Sequence, residues 1–258
     1  MKLYHTILNT VPRPILIRFS YIFRRIAPLL YKGNNVECPV CNHTFSKFLP
    51  YGYNELTRRE NVLCPYCLSL ERHRQIWLYL KNETDFFSKK EKQKMLHIAP
   101  EQCFHDYFKK QENLDYLTAD LESPIVDMHF DLHDIPLEDN RFDVVMCNHV
   151  LEHVEDDIQC MKELNRVMKP GGMGIFQVPI DYSREETLED PSINTPELRE
   201  KYYWQKDHVR LYGKDYPKRL EQAGFKVKAV DYESKLGKEL CERYRLPKNE
   251  ILYVCGKK

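Results

Sequence analysis

The chain has 258 residues, and 39 Lys and Arg balance 39 Asp and Glu, so its formal net charge at neutral pH is zero. That length admits one full α/β domain plus a smaller module, and the even balance gives no global pull toward nucleic acid, whose binders carry a basic excess. Nine cysteines, four of them in two CxxC pairs, and no recognisable signal peptide argue against a disulfide framework and for a reducing, cytoplasmic setting. No apolar run approaches the roughly 18 residues of a membrane span.

Residues 1–33 form a basic amphipathic segment. Lys2, Arg13, Arg18, Arg24, Arg25 and Lys32 are interleaved with Leu, Ile, Phe and Tyr, with no acidic residue. A helix from Pro14 to Tyr31 places Ile15, Leu16, Phe19, Ile22, Phe23 and Ile26 on one face flanked by arginines. Such a face suits a helix docked on protein and a helix lying on the inner face of a membrane equally well. Protein contact and peripheral membrane contact through residues 1–32 are therefore both open.

Residues 34–93 read as a zinc-ribbon-like module with a connecting helix. Cys38-Pro-Val-Cys41 and Cys64-Pro-Tyr-Cys67 are two knuckles whose four thiolates complete a tetrahedron around Zn2+. A closed four-thiolate site leaves no open position, so the zinc is expected to be structural. A redox dithiol is the alternative, as is a variant in which His43 or His73 replaces one thiolate. The aromatic loop Phe48–Tyr53 is expected to pack on the larger domain. Leu70, Ile76, Trp77 and Leu80 support a helix over residues 68–81, with Arg72, His73 and Arg74 near its start as a solvated face or as a contact for an anion.

Residues 94–258 read as one α/β domain with an insert at 180–210. Met95–Pro100 is a first strand that runs into a turn at Ala99, Pro100 and Glu101. Tyr116–Leu121 is a second strand ending at Asp120 and Leu121, and Met128–Leu132 a third that leads into Asp131–Pro136. Phe142–Cys147 is a short apolar run rich in β-branched residues, suited to a buried parallel strand, and Asn148 and His149 break it. Ile158, Met161, Leu164, Val167 and Met168 then recur at helical spacing. Lys169-Pro170-Gly171-Gly172 predicts the helix end, with the next strand at Met173–Val178. Ligands of such βαβ units bind outside the carboxyl ends of the strands, which places Asn148–Asp156 at the ligand. The insert is long for a connection, as lids and binding loops are; its Tyr202, Tyr203 and Trp204 either touch substrate or anchor it. A helix at Tyr216–Ala223, stopped by Gly224, and strands at Phe225–Val230 and Ile251–Cys255 complete the domain.

The segments Phe142–Val145, Val150–Val154 and Leu164–Gly172 (FDVV, VLEHV, LNRVMKPGG) strongly resemble the class I S-adenosylmethionine-dependent methyltransferases of type 11, from about Met95 onward. The resemblance implies a Rossmann-like, seven-stranded, mostly parallel sheet with helices on both faces, an antiparallel closing strand pair, and S-adenosylmethionine as cofactor. It assigns Asp120, followed by Leu121, to the two ribose hydroxyls; a loop-capping aspartate is the lesser alternative. It sets Asp131 at the adenine amine with Leu132 or Ile135 against the ring, and Asn148 and His149 at the cofactor's edge. His97, Ala99, Pro100 and Glu101 stand where related enzymes carry an acidic residue and a Gly-x-Gly turn. Ala99 is small enough for close approach, Pro100 suits a turn, and Glu101 can accept from the cofactor's ammonium.

Methyl transfer from a sulfonium is an in-line displacement that needs positioning and, for some acceptors, a base. His149, His153 and His208 are the candidates, because neutral imidazole is available near pH 7; His149 and His153 are spaced to share one face of a helical turn. The leading reading is transfer to an O or N atom of a small-molecule, saccharide or lipid-linked acceptor. The alternatives are an RNA methyltransferase whose zinc module reads RNA, which the slight basic excess of residues 34–93 disfavours, and a catalytically silent cofactor-binding interaction protein.

Overall fold

The computed structural model describes residues 13–52 and 57–257. The expectations for residues 1–12 and for Tyr53 at the tip of the aromatic loop lie outside them. The chain divides into two compact units, one comprising Met1–Ser88 with Asp231–Glu250, the other Lys89–Val230 with Ile251–Lys258.

In the first unit, α1 (Arg13–Leu30) precedes two short antiparallel pairs, β1 (Lys32–Cys38) with β2 (His43–Phe45) and β3 (Leu49–Tyr51) with β4 (Arg59–Leu63), and then α2 (Glu71–Glu83). Ile15, Phe19, Ile22, Phe23 and Ile26 of α1 are exposed, while Ala27 is buried and Arg24 donates to the Tyr66 carbonyl at 2.6 Å. No described helix is long and apolar enough to cross a membrane. Phe48 is buried within this unit, its ring 4.6 Å beneath the Arg74 guanidinium.

Two helices from late in the chain, Tyr232–Leu236 and Lys238–Tyr244, also belong to this unit. The sequence reading places everything after residue 94 in the second domain. Polar groups make the connection. Arg74 donates to the carbonyls of Tyr244 (2.6 Å) and Arg245 (2.7 Å), Gln75 to that of Glu250 (2.9 Å), and Asn82 to the Tyr232 hydroxyl (2.9 Å). A hydrophobic pattern carries no trace of such bonds.

The second unit is built on a seven-stranded sheet. In chain order its elements are β5 (Gln93–Ile98), α3 (Gln102–Phe108), β6 (Leu114–Asp120), β7 (Met128–His129), β8 (Phe142–Cys147), α4 (Asp157–Val167), β9 (Met168–Ile175), α5 (Pro196–Tyr203), α6 (Tyr216–Gln222), β10 (Phe225–Val230) and β11 (Leu252–Lys257). The spatial order is β10-β11-β9-β8-β5-β6-β7, with β9 through β7 parallel and β11 antiparallel to both neighbours. From β5 the chain steps outward to β6 and β7, then crosses back to β8 on the other side. The sheet therefore reverses its winding between β5 and β8, the crevice where such folds bind ligands.

Two element ends differ from expectation. Helix α4 stops at Val167, and Met168 already pairs with Phe142, so Lys169–Gly172 form an irregularity inside β9 rather than a helix end. Pro170 cannot continue a helix, and Gly171 takes φ +75°. Strand β7 stops at His129 instead of Leu132, because the Asp131 carboxylate accepts from the backbone (2.9 Å) and ring (2.7 Å) nitrogens of His133 and turns the chain.

Candidate functional site

Strands β5 and β8 end side by side, Ile98 opposite Cys147. The residues that follow each strand meet across the winding reversal. Ala99 has φ +47°, the left-handed region that glycine enters most easily, and its amide bonds the Ala119 carbonyl at 2.8 Å. The turn thus reaches a glycine-like conformation with the smallest side chain available. Glu101 follows, one oxygen 2.8 Å from His97 Nε2 and the other accepting from Asn148 Nδ2 at 3.2 Å. His97 is fully buried and its Nδ1 lies 2.9 Å from the Tyr116 hydroxyl. With Glu101 accepting from Nε2–H, Nδ1 is left to accept the Tyr116 proton, consistent with burial and the Glu101 charge, which push the phenol well up. Asn148 Oδ1 accepts from the Gln177 backbone amide at 3.2 Å, and the His149 amide donates to the Gln177 backbone carbonyl at 2.7 Å. His97 therefore supports Glu101 from inside the sheet, and Pro100, also buried, leads into it. Tyr116 and Gln177 were not singled out in the sequence; each sits in an apolar strand context that hides a polar role.

Asp120 ends β6 half-buried, and its Oδ1 accepts from the amides of Glu122 and Ser123, both at 2.8 Å. It is a loop cap through one oxygen, which leaves Oδ2 for other duties. Leu121 beside it is exposed. Asp131 is exposed and its carboxyl is held below the usual range by the His133 backbone and ring bonds. Leu132 and Ile135 are buried in the central core cluster.

Beyond Asn148 the chain forms a turn, in which the His153 amide bonds the Val150 carbonyl at 2.9 Å. His149, at φ +55°, sets Nδ1 3.2 Å from Glu152, while His153 sets its ring edge-to-face with His208 at 4.7 Å and its Nδ1 3.4 Å from Asp207. Glu152 is 1% exposed. Burial works against its charge, but His149, His153 and His208 together hold the carboxyl below its ordinary value. His208 is equally buried; its Nδ1 meets the Tyr203 carbonyl at 2.8 Å, and burial pushes its pKa down, so it is neutral with the lone pair on Nε2. One donor atom from each of Glu152, His153 and His208 lies within 4.8 Å of the others.

The insert is anchored rather than loose. Buried Arg210 donates to the carbonyls of Leu151 (2.8 Å), Val154 (2.5 Å) and Glu155 (2.7 Å) and to the Glu189 carboxylate (2.6 Å). Val209 N bonds the Glu152 carbonyl at 2.9 Å, and Leu188 pairs with Leu211. Tyr203 is fully buried and its hydroxyl is held by Asp190, so it anchors; Tyr202 is exposed.

In the first unit Cys38, Cys41, Cys64 and Cys67 converge, with Cys38 and Cys67 sulfurs 3.5 Å apart and those of Cys41 and Cys64 3.7 Å apart. A tetrahedral zinc with bonds of about 2.3 Å spaces its sulfurs by about 3.8 Å, so the cluster fits the ion. Asn42 and Leu68, each following the second cysteine of its pair, take φ +57° and +62° and bond back to Cys38 and Cys64. His43 stacks on Tyr66, and His73 Nδ1 accepts from the Leu70 amide, so neither enters the set. Arg74 is fully buried with carbonyl acceptors only, from Val62, Ser69, Tyr244 and Arg245. Burial pushes its pKa down, against the pull of Cys38, Glu71, Cys64 and Cys67, and its charge would offset the net negative charge of a zinc ion held by four thiolates. It is neither a solvated residue nor an anion contact, as the sequence had allowed.

The mostly parallel seven-stranded sheet flanked by helices is the class I methyltransferase fold. Residues 93–176 match the family model of the methyltransferase domain. Demethylmenaquinone methyltransferase of Staphylococcus saprophyticus is 50% identical over 46 residues, 18% of this chain and 20% of that protein. Its counterpart in Staphylococcus aureus strain JH9 is 45% identical over 56 residues, 22% of this chain and 23% of that protein. The matched stretch thus spans about a fifth of the length of these relatives. The YcgJ protein of Bacillus subtilis aligns with 72% of this chain and 99% of its own at 13% identity, with a TM-score of 0.48.

Proposed function

We propose that this chain, which carries a methyltransferase domain over residues 93–176, transfers a methyl group from S-adenosylmethionine to an oxygen or nitrogen atom of a small-molecule, saccharide or lipid-linked acceptor. The observation that carries this reading is the Glu101–Asn148 bond across the winding reversal, next to an Ala99 turn in left-handed conformation. That turn admits the close backbone approach that a Gly-x-Gly turn provides, and Glu101 adds a carboxylate beside it. Even charge balance and the likeness to demethylmenaquinone methyltransferases support a small acceptor over RNA.

When bound, the cofactor supplies a sulfonium-activated methyl group for in-line displacement. Glu101 accepts hydrogen bonds from the ammonium of the methionine portion, its orientation fixed by His97. Asp120 offers Oδ2 to the ribose hydroxyls while Oδ1 keeps the loop in place. His149 sits beside Asn148 with Nδ1 directed to Glu152, an arrangement that leaves the Nε2 lone pair to take the acceptor's proton as the new bond forms. Calorimetric titration with S-adenosylhomocysteine tests the cofactor, and mass-spectrometric screening of extracts with labelled cofactor tests the acceptor. A folded protein that binds no S-adenosylhomocysteine overturns the reading in favour of a silent interaction protein.

A further inference from the structure

We propose that Glu152, His153 and His208 bind one divalent transition-metal ion, at a site distinct from the four-cysteine centre. Both Glu152 oxygens and His208 Nε2 are buried with no hydrogen-bonded partner. The nearest donor to Glu152 is His149 Nδ1, 3.2 Å from one oxygen; a buried carboxylate so thinly supported is costly, and a cation bound to it removes that cost.

The arrangement has the supports that metal ligands carry. His208 uses Nδ1 on the Tyr203 carbonyl, and His153 Nδ1 faces Asp207, so each ring has its other nitrogen available for coordination. The ligand-bearing segments are pinned to each other by the Val209–Glu152 backbone bond and by the Arg210 contacts to Leu151, Val154 and Glu155. The donor atoms lie within 4.8 Å of one another. Ligands at about 2.1 Å from a shared ion stand about 3 to 4 Å apart, and rotation of the exposed His153 ring closes the difference. Two imidazoles and one carboxylate suit Mn2+, Fe2+, Co2+ or Zn2+. Three protein ligands also leave positions open to water or to an oxygen-bearing ligand. Glu152 also faces Nδ1 of His149, so the test of the site reads metal binding and uses no turnover.

Full-length protein holding one zinc per chain, at its four cysteines, is titrated with Mn2+ and free ion is followed by electron paramagnetic resonance, because a thiolate centre does not compete for this hard ion. Depletion of about one Mn2+ per chain is expected. His153→Gln, which changes an exposed ring, and Glu152→Gln should each weaken binding roughly a hundredfold or more. Co2+ titration by absorbance, with circular dichroism to confirm that the variants fold, provides a second readout. If neither ion binds, or if binding survives both substitutions, the assignment is overturned.

Discussion

Glu101 and Asn148, which follow two different strands, join through a 3.2 Å hydrogen bond across the carboxyl ends of β5 and β8. If Glu101 holds the cofactor's ammonium, Glu101→Gln keeps a side chain of the same shape but removes the charge. Affinity for S-adenosylhomocysteine should fall by roughly 1.5 to 3 kcal/mol, about ten- to a hundredfold. Methylthioadenosine, which lacks the ammonium, should bind the variant as it binds the parent. Calorimetry with both ligands checks this, and equal losses for the two would remove Glu101 from that role.

Asp120 calls for asparagine rather than alanine as its probe. Because Oδ1 caps the Glu122 and Ser123 amides, Asp120→Ala would unravel the loop and confuse stability with affinity. Asp120→Asn retains an acceptor for the cap. It should weaken S-adenosylhomocysteine by about 2 to 4 kcal/mol with little change in melting temperature without ligand. Unchanged affinity by calorimetry means that the ribose lies elsewhere.

The periodic parts of the second unit were legible in the sequence. Phe142–Cys147 and the Ile158, Met161, Leu164, Val167 spacing give strand and helix directly, and the four cysteines give their cluster. What lay hidden was carried by polar side chains in apolar settings. Arg74 read as part of a charged helix face, yet it is buried under backbone carbonyls from residues 244 and 245. Ala99 read as a departure from a glycine turn, yet it adopts the turn's backbone angle. Strand β7 read as running to Leu132, yet a short polar turn at Asp131 ends it at His129.

Freshly purified protein should contain about one zinc per chain at the four cysteines. Replacing Cys64 by Ser should destabilise the first unit. Arg74→Met, which leaves the thiolates without their buried counter-charge, should cost about 3 to 5 kcal/mol and speed metal loss to a chromogenic chelator. A variant that releases zinc at the parental rate would show that the guanidinium does not balance the centre.

Asp157 sets an acid limit on stability. It accepts from Arg219 at 2.9 and 2.5 Å and from the Tyr212 hydroxyl at 2.8 Å. Against the effect of burial, these bonds and Arg210 hold its carboxyl below the ordinary value. A group lowered in the native state stabilises fully above its unfolded value of about 3.9, and that contribution is lost as pH falls through the native value. Asp157→Asn should therefore cost about 2 to 4 kcal/mol at neutral pH and progressively less in acid. Urea unfolding of both proteins across that range checks it; a constant difference would show that the carboxylate is not the titrating group.

The bond between Arg74 and Tyr244 spans 170 residues of chain, which gives the first unit a schedule. All four cysteines and Arg74 leave the ribosome long before Tyr244 and Arg245 do. At roughly 5 to 20 residues per second the interval is on the order of ten to thirty seconds. Throughout it the nascent chain can capture its metal, but the guanidinium has no late carbonyls to close over it and must stay hydrated. Metal capture and burial of the counter-charge would then be separate events in time, and a chain stalled before residue 244 should bind zinc at its knuckle pair while the core is still open to water.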